Sequence, residues 1–304
     1  MPLDSAQLAA LHAVVHEGSF ERAAQHLHIS RSAVSQRVKL LESRVGQVLV
    51  KRGAPCTATP AGQTLVRHAQ QMALHEADAL AQLRGGALVQ ATLSVAVNAD
   101  SLATWFIAAM APLAREQGLA FDLVVEDQDH SAALLREGRV LAAVTADPQP
   151  VQGCRVQRLG TMRYRALASP DFVRRHFPEG VTPQALGQAP MLVYDRQDAL
   201  QHRFVRRFTR RKLSPPVHWL PSTQGFVDAT VAGIGWGMSP QALAQPALAA
   251  GRLVDLAPDR PLDVVLYWQH WRLEVAPLAL LTRQVQLAFA AVQPDVATTP
   301  ATTP

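Results

Sequence analysis

The first 45 residues carry three short helical patterns in close succession, and this feature constrains the fold most strongly. Apolar residues recur at helical spacing over residues 6–16, and Gly18 follows where a helix-ending glycine is expected. Ser19 is a suitable N-cap for a second helix, and Ser30 for a third that runs to about Val45. The third helix has one apolar stripe, formed by Val34, Val38, Leu41 and Val45. The pattern predicts a three-helix unit whose third helix buries one face.

The exposed face of that third helix is polar. Its side chains are Ser30, Arg31, Ser32, Ser35, Gln36 and Lys39. Such side chains can donate to base edges or phosphates when a helix lies in the major groove. After Gly46, the run QVLVKRGAPCTATP predicts two short strands around a Gly-Ala-Pro turn, with Lys51 and Arg52 able to reach phosphates. We therefore expect a winged helix-turn-helix that binds double-stranded DNA; the alternative is a helical bundle with a solvated basic face.

The charge distribution favours an anionic partner for this segment. The chain of 304 residues has a formal net charge of +5. Residues 1–67 hold eight Lys and Arg against four Asp and Glu, so a net charge of +4 lies there. A concentration of basic residues on one small helical unit is typical of nucleic-acid binding.

Membrane, secretory and metal-binding classes find little support in the sequence. No apolar run approaches the ~18–20 residues of a membrane-spanning helix, and the N-terminus lacks a basic leader and a cleavage site. We expect a bacterial cytoplasmic protein, associated with the nucleoid when bound to DNA and not with a membrane. Cys56 and Cys154 show neither disulfide-framework nor metal-ligand spacing. We expect no metal and no cofactor.

The N-terminal segment resembles a known family. The run AAQHLHISRSAVSQRVKLLESRVGQVLVKRG followed by TPAG resembles the DNA-binding signature of LysR-type transcriptional regulators, over residues 5 to about 85. By this resemblance, Arg31, Ser32, Ser35 and Gln36 face the operator, and Arg52 contacts the DNA backbone from the wing. Position 31 is often an uncharged amide in the family, so its arginine is expected to shift the preferred base toward guanine.

A narrower resemblance concerns the remainder of the chain. The runs FERAAQHL, LSVAVNADSLATW, LVVEDQDH and LYWQHW are similar to the arginine- and lysine-responsive group of the family, the ArgP/LysG/IciA type. This implies L-lysine or L-arginine as effector and an amino-acid exporter gene as target. The alternative is a LysR-type regulator of another metabolic operon with a different small-molecule effector.

A long helix is predicted to follow the wing, from Thr59-Pro60 to about Leu83. Its apolar stripe suits pairing with a second copy of the chain and consists of Leu65, Ala69, Met72, Ala73, Ala77, Leu80 and Leu83. We expect a homodimer, because helix-turn-helix proteins usually bind two half-sites, and a homotetramer of two dimers on DNA. An effector would then alter the DNA bend and the contact with RNA polymerase.

The rest of the chain alternates strands with helices. Together with the resemblance, this predicts an α + α/β protein: a winged helix-turn-helix (1–58), a linker helix and hinge at Gly85-Gly86 (59–90), and an effector-binding domain (91–293). That domain would be of the two-lobed α/β periplasmic-binding-protein type, with lobe I at about 91–162 and 266–293 and lobe II at about 163–265. A helix over 198–212 would carry a basic stripe from Arg203 to Lys212, and a disordered tail (294–304) is expected.

Candidate effector contacts lie where predicted strands end and helices begin, since ligands of parallel α/β sheets bind there. In lobe I they are Asp100, Ser101, Thr104, Glu126, Asp127, Thr145 and Asp147. In lobe II they are Asp195, Ser222 and Thr223. Helix N-termini could hold an α-carboxylate, while Asp100 and Asp127 could meet an ammonium group and a cationic side chain. The alternative is that these Asp and Ser residues are ordinary helix caps.

The sequence bears on three other classes of protein. An enzyme is not expected, because the sequence has no GxSxG, GxxxxGK[ST] or HExxH motif, and GIGWG at 233–237 follows a predicted helix rather than a strand. An exported solute-binding protein would not carry a helix-turn-helix. An architectural DNA protein, whose lobes serve only assembly, remains an alternative to a sensor.

Overall fold

The three predicted N-terminal helices are present. The computed structural model describes residues 3–83 and 92–293, so the hinge expected at Gly85-Gly86 and the tail at 294–304 lie outside the described residues. The helices are α1 (Ser5–Glu17), α2 (Phe20–His26) and α3 (Arg31–Val45). Gly18 and Gly46 end α1 and α3 in the left-handed conformation, with φ of 63° and 72°.

A small core holds this unit together. Its fully buried side chains include Leu11, Val14, Val34 and Leu41, and Val38 is 1% exposed. The wing strands β1 (Val50–Lys51) and β2 (Thr57–Ala58) pair antiparallel, as expected from the turn between them.

The linker helix α4 (Pro60–Leu83) follows as predicted, but only part of its apolar stripe is free. Leu65 and Ala69 pack against the core of the helix-turn-helix, and Ala77 packs against the core of the effector domain. Met72, Ala73, Leu80 and Leu83 are exposed. The stripe is wide because α4 contacts both domains of its own chain, so the prediction that all of it faces a second copy is wrong.

The effector domain is built on one large sheet. Its seven strands are β3 (Thr92–Val97), β4 (Ala120–Val125), β5 (Ala142–Thr145), β6 (Cys154–Ala168), β9 (Gly237–Pro240), β10 (Val254–Asp255) and β11 (Leu262–Trp271). The order is β10-β6-β11-β5-β3-β4, with β9 also paired to β6. β3 is parallel to β4 and β5, as predicted for lobe I. β7 (Met191–Val193) and β8 (Val217–Trp219) form a separate parallel pair in lobe II.

Two long antiparallel strands connect the lobes. β6 begins at Cys154, and it pairs with β11 along the whole length of β11. The register shifts between Leu266, which pairs with Gly160, and Tyr267, which pairs with Arg158, so that Leu159 has no partner in the ladder. The two lobes therefore share one ladder of backbone hydrogen bonds.

Helices cover the sheet. They are α5 (Ala99–Ser101), a π-helical turn (Leu102–Phe106), α6 (Ile107–Gln117), α7 (Ser131–Arg136), α8 (Pro170–His176), α9 (Pro183–Gln188), α10 (Leu200–Val205), α11 (Thr223–Val231), α12 (Gln241–Ala249) and α13 (Ala276–Ala291). Trp236, Trp268 and Trp271 are buried. Within residues 3–83 and 92–293, no helix has the length and apolar character needed to span a bilayer.

The helix predicted over 198–212 is wrong beyond Val205. A turn follows, in which the Arg207 guanidinium donates to the carbonyl of Pro261 and the Arg207 carbonyl accepts from Arg260. The Thr209 hydroxyl accepts the N–H of Arg211, which offers the backbone an alternative to helix. Of the basic stripe from Arg203 to Lys212, only Arg203 lies on the helix.

Gly62 marks a close approach of α4 to the wing. A Cβ at Gly62 would lie 2.0 Å from the carbonyl oxygen of Leu49. We predict that Gly62→Ala lowers the stability of the DNA-binding domain by about 1–3 kcal/mol, because backbone must shift. The measurement is thermal unfolding. Gly187→Ala is the matched control, since Gly187 is also helical but its Cβ would meet only the Leu213 side chain, at 3.8 Å; there alanine should stabilise by up to about 1 kcal/mol. Equal gains from both substitutions would contradict the prediction.

Candidate functional site

The polar face of α3 is exposed. Arg31, Ser32, Gln36 and Lys39 are open to solvent, and Ser35 is half-buried. Ser30 is the N-cap of the helix: its Oγ accepts the N–H of Ala33 at 3.2 Å and lies 2.9 Å from Ser32 Oγ. Ser30 therefore caps the helix and Ser32 is hydrogen-bonded to it, while Ser35, Gln36 and Lys39 present their donors on the surface of α3.

Two arginines of this surface have weak contacts within the chain. Arg31 Nε lies 3.7 Å from Glu21 Oε2, and both side chains are largely exposed, so the pair contributes little to stability. The Arg52 guanidinium lies over the Phe20 ring, 5.3 Å from its centroid. Lys51 is exposed on the wing. All eight predicted DNA contacts thus lie on α3 or the wing.

Hydrogen bonds fix α3 to the wing. Glu42 Oε1 accepts the N–H groups of Leu49 and Val50, at 2.9 and 3.4 Å. The Thr59 hydroxyl donates to the carbonyl of Val48 at 2.7 Å. The two surfaces that would reach a groove and its phosphates are therefore held in one fixed relation.

A second candidate site is a cavity of about 180 Å³ between the lobes, at the ends of β3 and β4. This volume is below the ~300–1,000 Å³ of pockets for drug-sized ligands, so the cavity suits a small metabolite. Its polar wall residues are Asn98, Asp100, Glu126, Asp127, Gln128, Tyr194, Asp195, Asp198, Thr223 and Ser239. Val125, Leu200, Phe226 and Met238 supply apolar surface.

Five carboxylates line this cavity, and no Lys or Arg is among the described residues of its wall. Backbone N–H groups hold four of them in place. Glu126 accepts from Asp127, Asp127 from Asp129, Asp195 from Gln197 and Asp198, and Asp198 from Tyr194 and Leu200. Outside the wall, His130 Nδ1 lies 3.7 Å from Asp127 Oδ1. The carboxylates are therefore preorganised around a site with excess negative charge.

Asp100 is held by side chains rather than by backbone. The hydroxyl of Tyr164, on β6, donates to Asp100 Oδ2 at 2.7 Å. Burial, followed by the nearby Asp198 and Asp127, raises the pKa of Asp100 to about 6 despite this hydrogen bond. Burial also raises the pKa of Asp127, and it holds the pKa of Tyr164 well above its usual value. A bound cation would relieve this repulsion.

The same cavity contains an uncapped helix N-terminus. Asn98 precedes the continuous helical run over residues 99–117 but makes no cap hydrogen bond; its Nδ2 donates to Gln128 Oε1 at 3.1 Å instead. Ala99 and Asp100 line the cavity. First-turn N–H groups and the helix dipole favour an anion such as a carboxylate. A π-helical turn follows immediately, a feature frequent at functional sites.

The structure brings together some of the predicted effector residues and not others. Asp100, Glu126, Asp127, Asp195 and Thr223 line the cavity. Ser101, Thr104, Thr145, Asp147 and Ser222 are not part of its wall.

Ser101 is fully buried on the inner face of its helix. The Thr104 hydroxyl donates to the carbonyl of Asp100, and Thr104 borders a different cavity. Thr145 is fully buried and donates to the carbonyl of Gln128. Asp147 accepts the N–H of Gln149, and Ser222 caps α11 through the N–H of Gly225. Their placement in an effector pocket is therefore not supported, and ordinary capping explains Ser222.

Sequence analysis did not predict five polar residues of the cavity wall, or Tyr164, which contacts Asp100 from behind the wall. The five are Asn98, Gln128, Tyr194, Asp198 and Ser239. Gln128 directly follows Asp127 and Asn98 lies two residues before Asp100, so their position at strand ends was a usable signal. Tyr164 and Ser239 lie in strands that meet in the lobe-crossing sheet, and no local pattern indicated that pairing. In the parts of the chain that the structure describes, no group of three His, Cys, Asp or Glu could hold a metal ion.

Comparison with known proteins gives the family. The model of bacterial regulatory helix-turn-helix proteins of the lysR family matches residues 5–63, and that of the LysR substrate binding domain matches residues 86–290. The HTH-type transcriptional regulator LysG of Mycobacterium tuberculosis is 50% identical over 94% of this chain and 93% of its own. The HTH-type transcriptional regulator ArgP of Pseudomonas aeruginosa is 47% identical over 91% of this chain and 93% of its own.

Solved structures agree. The crystal structure of ArgP from M. tuberculosis has a TM-score of 0.82 at 50% identity and covers 95% of this chain and 98% of its own. Full-length LysG from Corynebacterium glutamicum with bound effector Arg has a TM-score of 0.75 at 41% identity, over 95% and 99%. With both domains matched and regulators as relatives, the chain belongs to the LysR family of DNA-binding transcriptional regulators, close to LysG and ArgP, and is not an enzyme.

Proposed function

We propose that this regulator senses a basic amino acid, L-arginine or L-lysine, and controls a gene for an amino-acid exporter. The observation that carries the proposal is the cavity with five carboxylates and no basic side chain in its described wall. Excess buried negative charge is unfavourable unless a cation balances it. The cavity therefore selects a cationic ligand over neutral or acidic metabolites.

The arrangement fits the charges of a basic amino acid. Such a ligand has an α-ammonium group, a cationic side chain and one α-carboxylate. Asp100 and Asp127 would bind the two cationic groups, assisted by Glu126, Asp195 and Asp198 from both lobes. The N–H groups that begin at Ala99 would bind the carboxylate. The arginine bound to LysG of C. glutamicum, 41% identical to this chain, supports the same class of ligand here.

The DNA-binding surface and the oligomer would complete the regulator. Ser30, Arg31, Ser32, Ser35, Gln36 and Lys39 would contact the operator, with Lys51 and Arg52 on its phosphates. The exposed Met72, Ala73, Leu80 and Leu83 of α4 would pair two chains, and two dimers would form a homotetramer in the cytoplasm, on the nucleoid. Effector binding would change the DNA bend and the contact with RNA polymerase, provided the two arrangements bind the effector with different affinity.

Effector binding is tested by calorimetric titration with L-arginine and L-lysine and with the neutral isosteres L-citrulline and L-norleucine. We expect saturable binding of the two cationic ligands and much weaker binding of the isosteres. Asp100→Asn should weaken binding by roughly 2 kcal/mol or more, about 30-fold, because one buried charge loses its partner. Operator binding without effector should persist. Asp171→Asn, on an exposed aspartate of α8, is the matched control. Preference for another metabolite class would refute the basic-amino-acid assignment.

The raised pKa of Asp100 predicts a pH dependence. With a pKa of about 6, Asp100 is more protonated at pH 5 than at pH 7.5, and only the ionised form attracts a cation. Affinity for L-arginine should therefore decrease as pH falls through 6, by up to about tenfold per pH unit for one linked proton. Titrations between pH 5 and 7.5 measure this. Asp100→Asn should lack that component; an identical pH profile in the variant would show that another group is responsible.

Base readout is tested by Ser35→Ala combined with Gln36→Ala. Specific operator affinity should fall by roughly 1–3 kcal/mol per lost base contact, with little change on random DNA. Lys51→Gln should instead weaken both and lower the salt slope by about one. Fluorescence anisotropy on operator and random duplexes distinguishes the two effects. Equal weakening on both duplexes by the double variant would exclude base contacts from α3.

A further inference from the structure

Two short elements of lobe I extend from the effector cavity to the DNA-binding half of the chain. One is helix α7, which follows Asp127 and Gln128 of the cavity wall. The other is strand β4, which ends at Val125 beside Glu126, also in the wall. Each has its far end against the linker helix α4 or against α1.

The near end of α7 is fixed to Asp127. The carbonyl of Asp127 accepts the N–H groups of His130 and Ser131, each at 2.9 Å, and the Ser131 hydroxyl at 2.9 Å. Ser131 is fully buried. A displacement of Asp127 by a ligand therefore displaces the first turn of α7.

The far end of α7 contacts Arg67 of the linker helix. Gly138, just beyond α7, has φ +68°, and a Cβ there would lie 1.9 Å from Arg67 Cγ. The Arg67 guanidinium lies 5.3 Å from the ring centroid of Trp271, and its Nη1 donates to the carbonyl of Arg136 at 3.4 Å. The alkyl stem of Arg67 thus lies directly on the backbone that ends α7.

Other contacts keep α4 and α1 on lobe I. Leu74 of α4 is 3% exposed and belongs to the core of the effector domain. Asp78 accepts the N–H of Ala276 at the start of α13, at 3.2 Å. His16 of α1 lies 2.9 Å from Asp122 of β4, on an exposed surface. Leu74 and Asp78 hold the linker on the lobe, whereas the exposed His16 pair adds little energy of its own.

We propose that Arg67 is the positioning residue through which occupancy of the effector cavity reaches the DNA-binding domain. The inference rests on the proposed function, since it names the route by which the ligand acts. α7 has six residues and is about 9 Å long. So short a helix is not stable alone and moves as one unit with the groups packed at its ends. Arg67 receives that movement and transfers it to α4, whose first turns are part of the DNA-binding core.

The test compares coupling in variants of the full chain. Coupling is the ratio of operator dissociation constants with and without saturating L-arginine or L-lysine, and factors of about 5–150 are usual. Gly138→Ala displaces the Arg67 stem, and Arg67→Met keeps an apolar stem without the guanidinium. Both should reduce the ratio below about twofold, while affinity for the amino acid in the absence of DNA is retained.

Gly251→Ala is the matched control. Gly251 has φ +66° with no atom within 4 Å of a Cβ, so it carries the same backbone strain without the contact. Its coupling ratio should match that of the unmodified chain. An unchanged ratio in Gly138→Ala and Arg67→Met, or an equal loss in Gly251→Ala, would overturn the proposal.

A second measurement needs no effector. Because the ends of α7 move together, Gly138→Ala and Arg67→Met should make hydrogen exchange several-fold faster at the amides of His130 and Ser131, and Gly251→Ala should not. If the unmodified chain binds neither basic amino acid, the proposed function fails, and this exchange still decides the role of Arg67. Unchanged exchange at both amides would overturn that role.

Discussion

The linker helix α4 is the element on which the rest of the structure depends, because it is part of both hydrophobic cores. Val66, with Leu65 and Ala69 beside it, packs into the helix-turn-helix, and Leu74 packs into the effector domain, only two helical turns further on. Because α4 buries apolar side chains in both cores, it forms part of each domain. Only its exposed apolar residues are left to contact a second chain. The position of the DNA-binding surface relative to the sensor is thus set by packing.

The cavity carries an electrostatic cost in the free protein that favours the binding of a cation. Five carboxylates line one small space, and burial, followed by the neighbouring charges of Asp198 and Asp127, raises the pKa of Asp100 to about 6. Backbone N–H groups hold the other four carboxylates in place. Each of these carboxylates therefore has fewer lone pairs left to accept hydrogen bonds from a ligand. A cationic ligand of the kind proposed would reduce the repulsion between these carboxylates. Part of its binding energy would then come from charges that the fold has already positioned.

Sequence patterns predicted the local elements well and the long-range pairings poorly. The caps at Ser19, Ser30 and Gly18 and the stripe of α3 are local signals, and all are present in the structure. Asp100 and Asp127 were found because strand ends are recognisable. Tyr164 could not be found, since its role depends on β6 passing beside a helix 64 residues earlier in the chain. The helix beyond Val205 failed because contacts with Pro261 and Arg260 outweigh local propensity.

The long ladder between β6 and β11 has a mechanical consequence. Two lobes joined by flexible loops can swing widely, but lobes that share ten paired residues can only flex as the strands bend together. The register shift beside Gly160 interrupts the regular pairing and bends the strand locally, and the ring of Phe289 lies where any larger residue at 160 would project. A change in the angle between the lobes would therefore require both strands to bend as a pair, and a small displacement in one lobe would be carried into the other.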